Sequence, residues 1–278
     1  VLVYLNGKFV PQEEATISVE DRAFLFADGV YEVVRIVRGR PLFMDEHLER
    51  LARGLRELRI DFAGVGALAE VARRLVEENA LQDGEATLYI QVSRGAAPRK
   101  HAFPPEGTPP TVYAAARPLA PHPESHFAEG VATITVPDTR WARCDIKSVA
   151  LLPNVLANQQ AKERGAFEAL FVKDGVLLEG SLSNLFAVID GVVTTYPTCN
   201  YILPGITRDA VLAIARQLGL PTAEAPIFLH RLPEVEELFL TGTTADVTPV
   251  VSVDGRKVGA GEPGPISRRL LAAYRELL

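Results

Sequence analysis

Residues 118–126, PLAPHPESH, divide the chain into two separately patterned halves, and no other feature restricts the fold as much. Proline at 118, 121 and 123 excludes a continuous helix or a central strand across this stretch. Before it, residues 2–5 and 8–10 flank Asn6-Gly7, a strong short-range hairpin signal. Residues 29–37 read as a long strand. Leu48, Leu51, Leu55 and Leu58 follow at helical spacing, with Asp45 as the expected N-cap, and a second helix is expected over 66–81. Strands are expected at 87–93 and 111–116. Between them lies RGAAPRKHAFPPEGTPP, too rich in Pro and Gly for regular structure. After the break, strands are expected at 131–136, 169–172, 177–178, 184–188, 236–240 and 247–253, and helices at 154–164, 205–218 and 266–277. The expected architecture is α+β in two domains, 1–118 and 127–278, joined by a linker at 119–126.

Composition narrows the function classes. The 278 residues are 47% hydrophobic and 23% charged, enough apolar material for large cores. Net charge is −6 with no basic stripe, so no nucleic-acid partner is expected. No run of about 18 apolar residues occurs, so no membrane span is expected. The opening VLVYLNGKFVPQEE lacks a basic region and a long apolar region, so no export signal is expected and the cytoplasm is the expected compartment. Cys144 and Cys199 make neither a disulfide framework nor a metal-ligand spacing, and no metal is expected.

The stretch RWARCDIKSVALL at 140–152 puts Lys147, in a chain that favours arginine, at the mouth of an apolar run. Such a lysine is either solvated or a nucleophilic amine. Three other segments bear on the choice. In ILPGITR, 202–208, a glycine opens an amphipathic helix whose free N–H groups and Thr207 hydroxyl suit an anion, or simply cap the helix. In FLTGTTA, 239–245, a strand ends in a small hydroxyl-rich turn, a phosphate cradle or an ordinary turn. In LEGSLSNLF, 178–186, Glu179 ends an apolar strand, either to hold a protonated ring nitrogen or as a strand-end charge in water. An imine-forming amine, two phosphate cradles and a carboxylate for a ring nitrogen together describe pyridoxal 5′-phosphate.

With these motifs in view, the sequence resembles the fold-type IV pyridoxal-phosphate enzymes, and among them is similar to the bacterial D-amino-acid transaminases. The likeness runs through EDRAFLFADGVYEVVR (20–35), DEHLERL (45–51), SRGAAPRKHAFP (93–104), RWARCDIKS, LEGSLSNLF, LPGITRD and FLTGTTADVTPV (239–250). It implies a smaller N-terminal α/β domain, a larger C-terminal domain with a barrel-like sheet, and an active site between them. It implies that Lys147 forms the Schiff base and shuttles protons, and that Glu179 pairs with the pyridine nitrogen. Arg50, Ile206, Thr207, Gly242 and Thr243 would hold the phosphate. Arg140 would lie behind the ring, and Ser183 would join the cofactor-binding set. Tyr31, Arg99 and His101 would trap the substrate carboxylate, with the Arg/His loop reaching across a homodimer interface.

Local explanations stand beside these roles. Glu46 lies one turn before Arg50 and offers a surface ion pair. Tyrosine is common in strands such as that of Tyr31, and Arg99 and His101 would also be at home in water. Two positions depart from the family pattern: Gly242, where serine is familiar, and Lys100, where a small residue is familiar. The implied reaction is ping-pong transamination between a D-amino acid, such as D-alanine or D-glutamate, and a 2-oxo acid. The rivals on this fold are an (R)-amine transaminase, a branched-chain L-amino-acid transaminase and aminodeoxychorismate lyase. A non-enzymatic sensor of phosphate metabolites is the rival of another class.

Overall fold

The computed structural model describes residues 1–278, which form two compact units. One comprises Val1–Pro121 with Ile146–Ala150, the other His122–Asp145 with Leu151–Leu278.

The first unit contains strands β1 (Leu2–Leu5), β2 (Lys8–Pro11), β3 (Gly29–Val37), β4 (Arg40–Pro41), β5 (Glu85–Ser93) and β6 (Thr111–Pro118). They make one sheet in the order β2-β1-β6-β5-β3-β4. Asn6 and Gly7 both adopt positive φ, 49° and 88°, the backbone a two-residue hairpin between right-twisted strands requires. Helices α1 (Arg22–Phe26), α2 (Met44–Leu58) and α3 (Leu68–Glu78) complete the unit. Val30, Val34 and Ile36 of β3 point to one face, where they join Leu48, Leu51 and Leu75 of α2 and α3 in the core. A Cβ at Gly54 would lie 3.0 Å from Val30 Cγ1, so glycine lets α2 approach β3 closely.

Asp45 is not the cap of α2. Phe43 occupies that position at φ 53°, with no side-chain cap, and Asp45 lies inside the first turn. Its charge still favours the helix start through the macrodipole.

Residues 146–150 sit in the second half of the sequence but attach to the first unit. The Tyr31 N–H donates to the Lys147 carbonyl (3.0 Å) and the Val149 N–H to the Gly29 carbonyl (3.1 Å), with Val30 and Ser148 bridged. The peptide carrying Lys147 is thereby held along the start of β3.

The second unit contains β7 (Val131–Pro137), β8 (Glu168–Lys173), β9 (Val176–Gly180), β10 (Asn184–Ile189), β11 (Val192–Thr195), β12 (Thr222–Glu224), β13 (Ile227–Phe228), β14 (Glu237–Gly242), β15 (Asp246–Val253) and β16 (Arg256–Lys257). The path β10-β14-β15-β7-β8-β9 returns to β10 through the pair Asn184–Glu179, closing a six-stranded barrel. Leu170, Leu185, Leu238 and Leu240 belong to one apolar cluster of the unit. Helices α4 (Ser125–Ala128), α5 (Leu152–Glu163), α6 (Ile206–Gln217) and α7 (Pro265–Arg275) complete it. Ala157 and Ala161 of α5 pack on Ile134, Val136 and Phe171. No helix in the chain is long and apolar enough to cross a membrane.

Candidate active site

In the first unit, the alternation of β3 turns Glu32 to the same face as Val30 and Val34, a carboxylate on an apolar face and fully buried. Two residues of α2 receive it. Arg50 donates from Nε to Oε1 (2.8 Å) and from Nη2 to Oε2 (2.7 Å), and His47 Nδ1 lies 2.7 Å from Oε2. Burial raises the Glu32 carboxyl, but the charge and hydrogen bonds of Arg50, the His47 bond and the charge of Lys147 outweigh it and hold the group at about 2. An ionised carboxylate only accepts, so Nδ1 of His47 carries the proton. Burial favours the neutral imidazole. The surface pair of Arg50 with Glu46 is therefore not what forms; Arg50 is fixed from inside the unit by Glu32.

Lys147 presents Nζ 4.5 Å from the centre of the Tyr31 ring. Tyr31 stacks on Tyr89 at 5.7 Å, and Tyr89 lies 6.2 Å from Tyr113. Arg99 and His101 are exposed, in the segment without helix or strand between β5 and β6.

In the second unit, Glu179 is buried rather than solvated. One oxygen accepts from Arg140 Nη1; the other accepts from the Asn184 amide (3.0 Å) and the Leu203 N–H (3.0 Å). Asp138 takes the other edge of Arg140, from Nε (2.9 Å) and Nη2 (3.0 Å), and the guanidinium lies 4.1 Å from the Phe171 ring centre. Burial pushes Glu179 up to about 7, against the lowering by Arg140. Cys144 is also pushed up, to about 11, chiefly by burial, and is a poor thiolate.

Asn184 joins three segments. It pairs with Glu179 in β9 and with Thr241 in β14. A Cβ at Gly205 would fall 2.0 Å from its Oδ1, so only glycine fits at the start of α6. Gly205 is the N-cap and offers no side chain, which leaves the first-turn N–H groups of Ile206 and Thr207 open to an anion. The start of α7 differs: Glu237 accepts from the Ile266 and Ser267 N–H groups. Thr241 Oγ1 is buried with no hydrogen-bond partner, immediately before the Gly242-Thr243 turn. The Ser183 hydroxyl is engaged by Glu168, lying 3.0 Å from both of its oxygens.

The donor chemistry fits pyridoxal 5′-phosphate. The second unit provides a buried carboxylate for a ring nitrogen, an uncapped helix start and an orphaned hydroxyl beside a glycine turn. The first provides an amine and a preorganised arginine. Glu32, His47 and Asn184 escaped the sequence reading. Two patterns could have found the first two: a charge at an inward position of a strand, and a His/Arg pair three residues apart on the facing helix.

The family model for amino-transferase class IV matches residues 29–253. D-alanine aminotransferase from Bacillus licheniformis is 42% identical over 274 residues, covering 98% of this chain and 95% of the relative. D-alanine aminotransferase from Staphylococcus haemolyticus is 39% identical over 277 residues, covering 99% and 97%. Among solved structures, the branched-chain amino acid aminotransferase of Escherichia coli matches with a TM-score of 0.91 at 28% identity, covering 99% of this chain and 93% of that chain. The branched-chain amino acid aminotransferase of Thermoproteus uzoniensis, solved with norvaline, matches with a TM-score of 0.87 at 28% identity, with the same coverage of 99% and 93%. A further branched-chain amino acid aminotransferase, solved with pyridoxamine 5′-phosphate, matches with a TM-score of 0.89 at 32% identity. With the family model spanning most of the chain and these relatives aligned end to end, the chain belongs to the amino-transferase class IV family.

Proposed function

We propose that the chain is a pyridoxal 5′-phosphate-dependent transaminase that moves the amino group of a D-amino acid, such as D-alanine or D-glutamate, to a 2-oxo acid. What carries the reading is the full-length likeness, at 39–42% identity, to enzymes named D-alanine aminotransferase.

When bound, the cofactor supplies an aldehyde that bonds an amine and a ring that accepts the electrons left when a Cα–H bond breaks. The chain supplies the rest. Lys147 would anchor the cofactor, and its amine would carry the proton to and from the substrate Cα. Its backbone pairing with β3 and the Tyr31 ring beside Nζ restrict where the amine can go. Glu179, backed by Arg140, keeps the ring nitrogen protonated. Arg50, braced by Glu32, holds the phosphate together with the Ile206 and Gly242 N–H groups and the Thr207 and Thr243 hydroxyls. Tyr31, Arg99 and His101 receive the substrate carboxylate, to which a guanidinium offers paired donors. The face on which the carboxylate is held decides which enantiomer turns its Cα hydrogen toward Lys147.

The solved relatives named branched-chain aminotransferases give a second reading, L-amino-acid transamination on the same fold. Half-reaction spectroscopy separates the two. D-alanine is expected to convert the cofactor to its aminated form at least tenfold faster than L-alanine or L-leucine. A faster reaction with either L-amino acid would reverse the assignment.

We also propose a homodimer. Leu152, Val155 and Leu156 make an apolar stripe along α5, exposed by 68%, 59% and 63%. Spacing of three and four residues puts them on one helix face, a patch that water disfavours. Sedimentation equilibrium is expected to give twice 30.2 kDa; a monomer at micromolar concentration would contradict it.

A further inference from the structure

The segment 94–110 has no helix or strand, yet buried charges fasten it. Arg22 and Arg94 are only 4% and 7% exposed, and both bind one carboxylate, Asp28. Asp28 Oδ2 accepts from Arg22 Nε (2.8 Å) and Arg94 Nε (2.7 Å), and Oδ1 accepts from Arg94 Nη2 (2.9 Å). One anion against two buried cations leaves positive charge to be satisfied by backbone oxygens. Arg94 donates to the carbonyls of Leu58 (2.6 Å) and Arg59 (2.8 Å), at the C-terminal end of α2. Arg22 Nη1 donates to the carbonyl of Lys100 (2.7 Å) and, at longer range, to that of Ala102 (3.4 Å). These two carbonyls lie on either side of His101 and just after Arg99.

Aromatic contacts act on the same residues. The Phe26 ring of α1 lies 4.7 Å from the Arg22 guanidinium, 5.2 Å from that of Arg99 and 5.6 Å from the His101 ring. Phe103 lies 3.7 Å from the Arg94 guanidinium. At the loop's entry Gly95 adopts φ +91°, where a Cβ would fall 2.0 Å from the Pro109 carbonyl oxygen. Burying two arginines is a costly way to stabilise an exposed coil. It suits a coil whose backbone must be fixed because of what its side chains do.

We propose that Arg22, braced by Asp28 and Arg94, is a positioning residue for substrate recognition: it fixes the backbone at Lys100 and Ala102 so that Arg99 and His101 present their donors to the substrate carboxylate at one defined place. The inference rests on the transaminase reading above and on the role given there to Arg99 and His101. It assigns Arg22 no contact with substrate or cofactor.

The test is Arg22→Met in the holoenzyme, which removes every donor and keeps most of the side-chain length. Cofactor absorbance is expected to match wild type. Amide hydrogen exchange across 95–104 is expected to be at least tenfold faster. The KM for D-alanine is expected to rise about tenfold or more, with kcat within threefold. Unchanged exchange would overturn the anchoring, and faster exchange with an unchanged KM would overturn the link to recognition. A fall in kcat with KM unchanged would also overturn it. If Arg22→Met does not fold, Phe103→Ala decides. Its 48% exposed ring can be removed without opening a core, and KM should rise severalfold; an unchanged KM again overturns the proposal. A wild-type protein that never acquires cofactor absorbance would instead defeat the transaminase reading, and so the two failures are distinguishable.

Discussion

Lys147→Ala should abolish transamination, with kcat lower by about 10⁴-fold, at the upper end of what a positioned acid–base group contributes. The variant loses both the covalent anchor and the base. Apart from Lys147, the chain has lysines at 8, 100, 162, 173 and 257, and none of them lies in the segment paired with β3. The fold should survive, because the structural part of residue 147 is its backbone. The bond from the Tyr31 N–H to the 147 carbonyl needs no side chain. The melting temperature of the apoprotein should therefore stay within a few degrees of wild type. A variant that still bleaches the cofactor colour with D-alanine at more than about a hundredth of the wild-type rate would assign the proton transfer to another group.

Glu179→Gln has the second-largest expected effect. Glutamine matches the shape of Glu179 and can keep the hydrogen bond from the Leu203 N–H, but it cannot hold a proton on a ring nitrogen by charge. A preorganised group of this kind typically supplies about 10²–10³ in kcat, and that loss is expected here with little change in KM. The same substitution has a signature in the apoprotein. The folded pKa of Glu179 is raised, from 4.5 to about 7. A raised carboxyl contributes stability that is present below the unfolded pKa and is lost as pH rises through the folded one. The substituted amide does not titrate, so wild type should lose stability relative to the variant as pH rises from about 4.5 through about 7. Urea unfolding at several pH values measures this difference. A difference that does not change with pH would mean that Glu179 is not desolvated as the fold implies.

Much of this architecture was legible in residue patterns, because burial dictates them. The Asn6-Gly7 hairpin, the long strand before Val37, the leucine spacing of α2 and the helix after Gly205 each follow from local chemistry. The start of α2 was read less well: Phe43 takes a left-handed backbone and displaces Asp45 into the first turn, which depends on how β4 feeds the helix. The barrel-like sheet was implied by the family resemblance, but its closure was not legible in the residue patterns themselves. It depends on the pairing of Asn184 with Glu179, and no periodicity encodes which strand ends meet. The same holds for the partner of Arg50. Sequence proximity pointed to Glu46, whereas folding brings up Glu32 from a strand eighteen residues earlier. The loop at 94–110 carried a motif but no sign of how it is fastened, because its anchors, Arg22 and Asp28, lie far upstream. Candidate residues carried by motifs could thus be named from sequence, but the charged groups that brace them could not.

The most direct measurement of the central claim is borohydride reduction of the holoprotein followed by peptide mass mapping. Reduction should fix the cofactor as a stable secondary amine on a single residue, Lys147, and D-alanine added beforehand should prevent the labelling. A label on Lys173 or any other lysine, or no label on a protein that still transaminates D-alanine, would contradict the account.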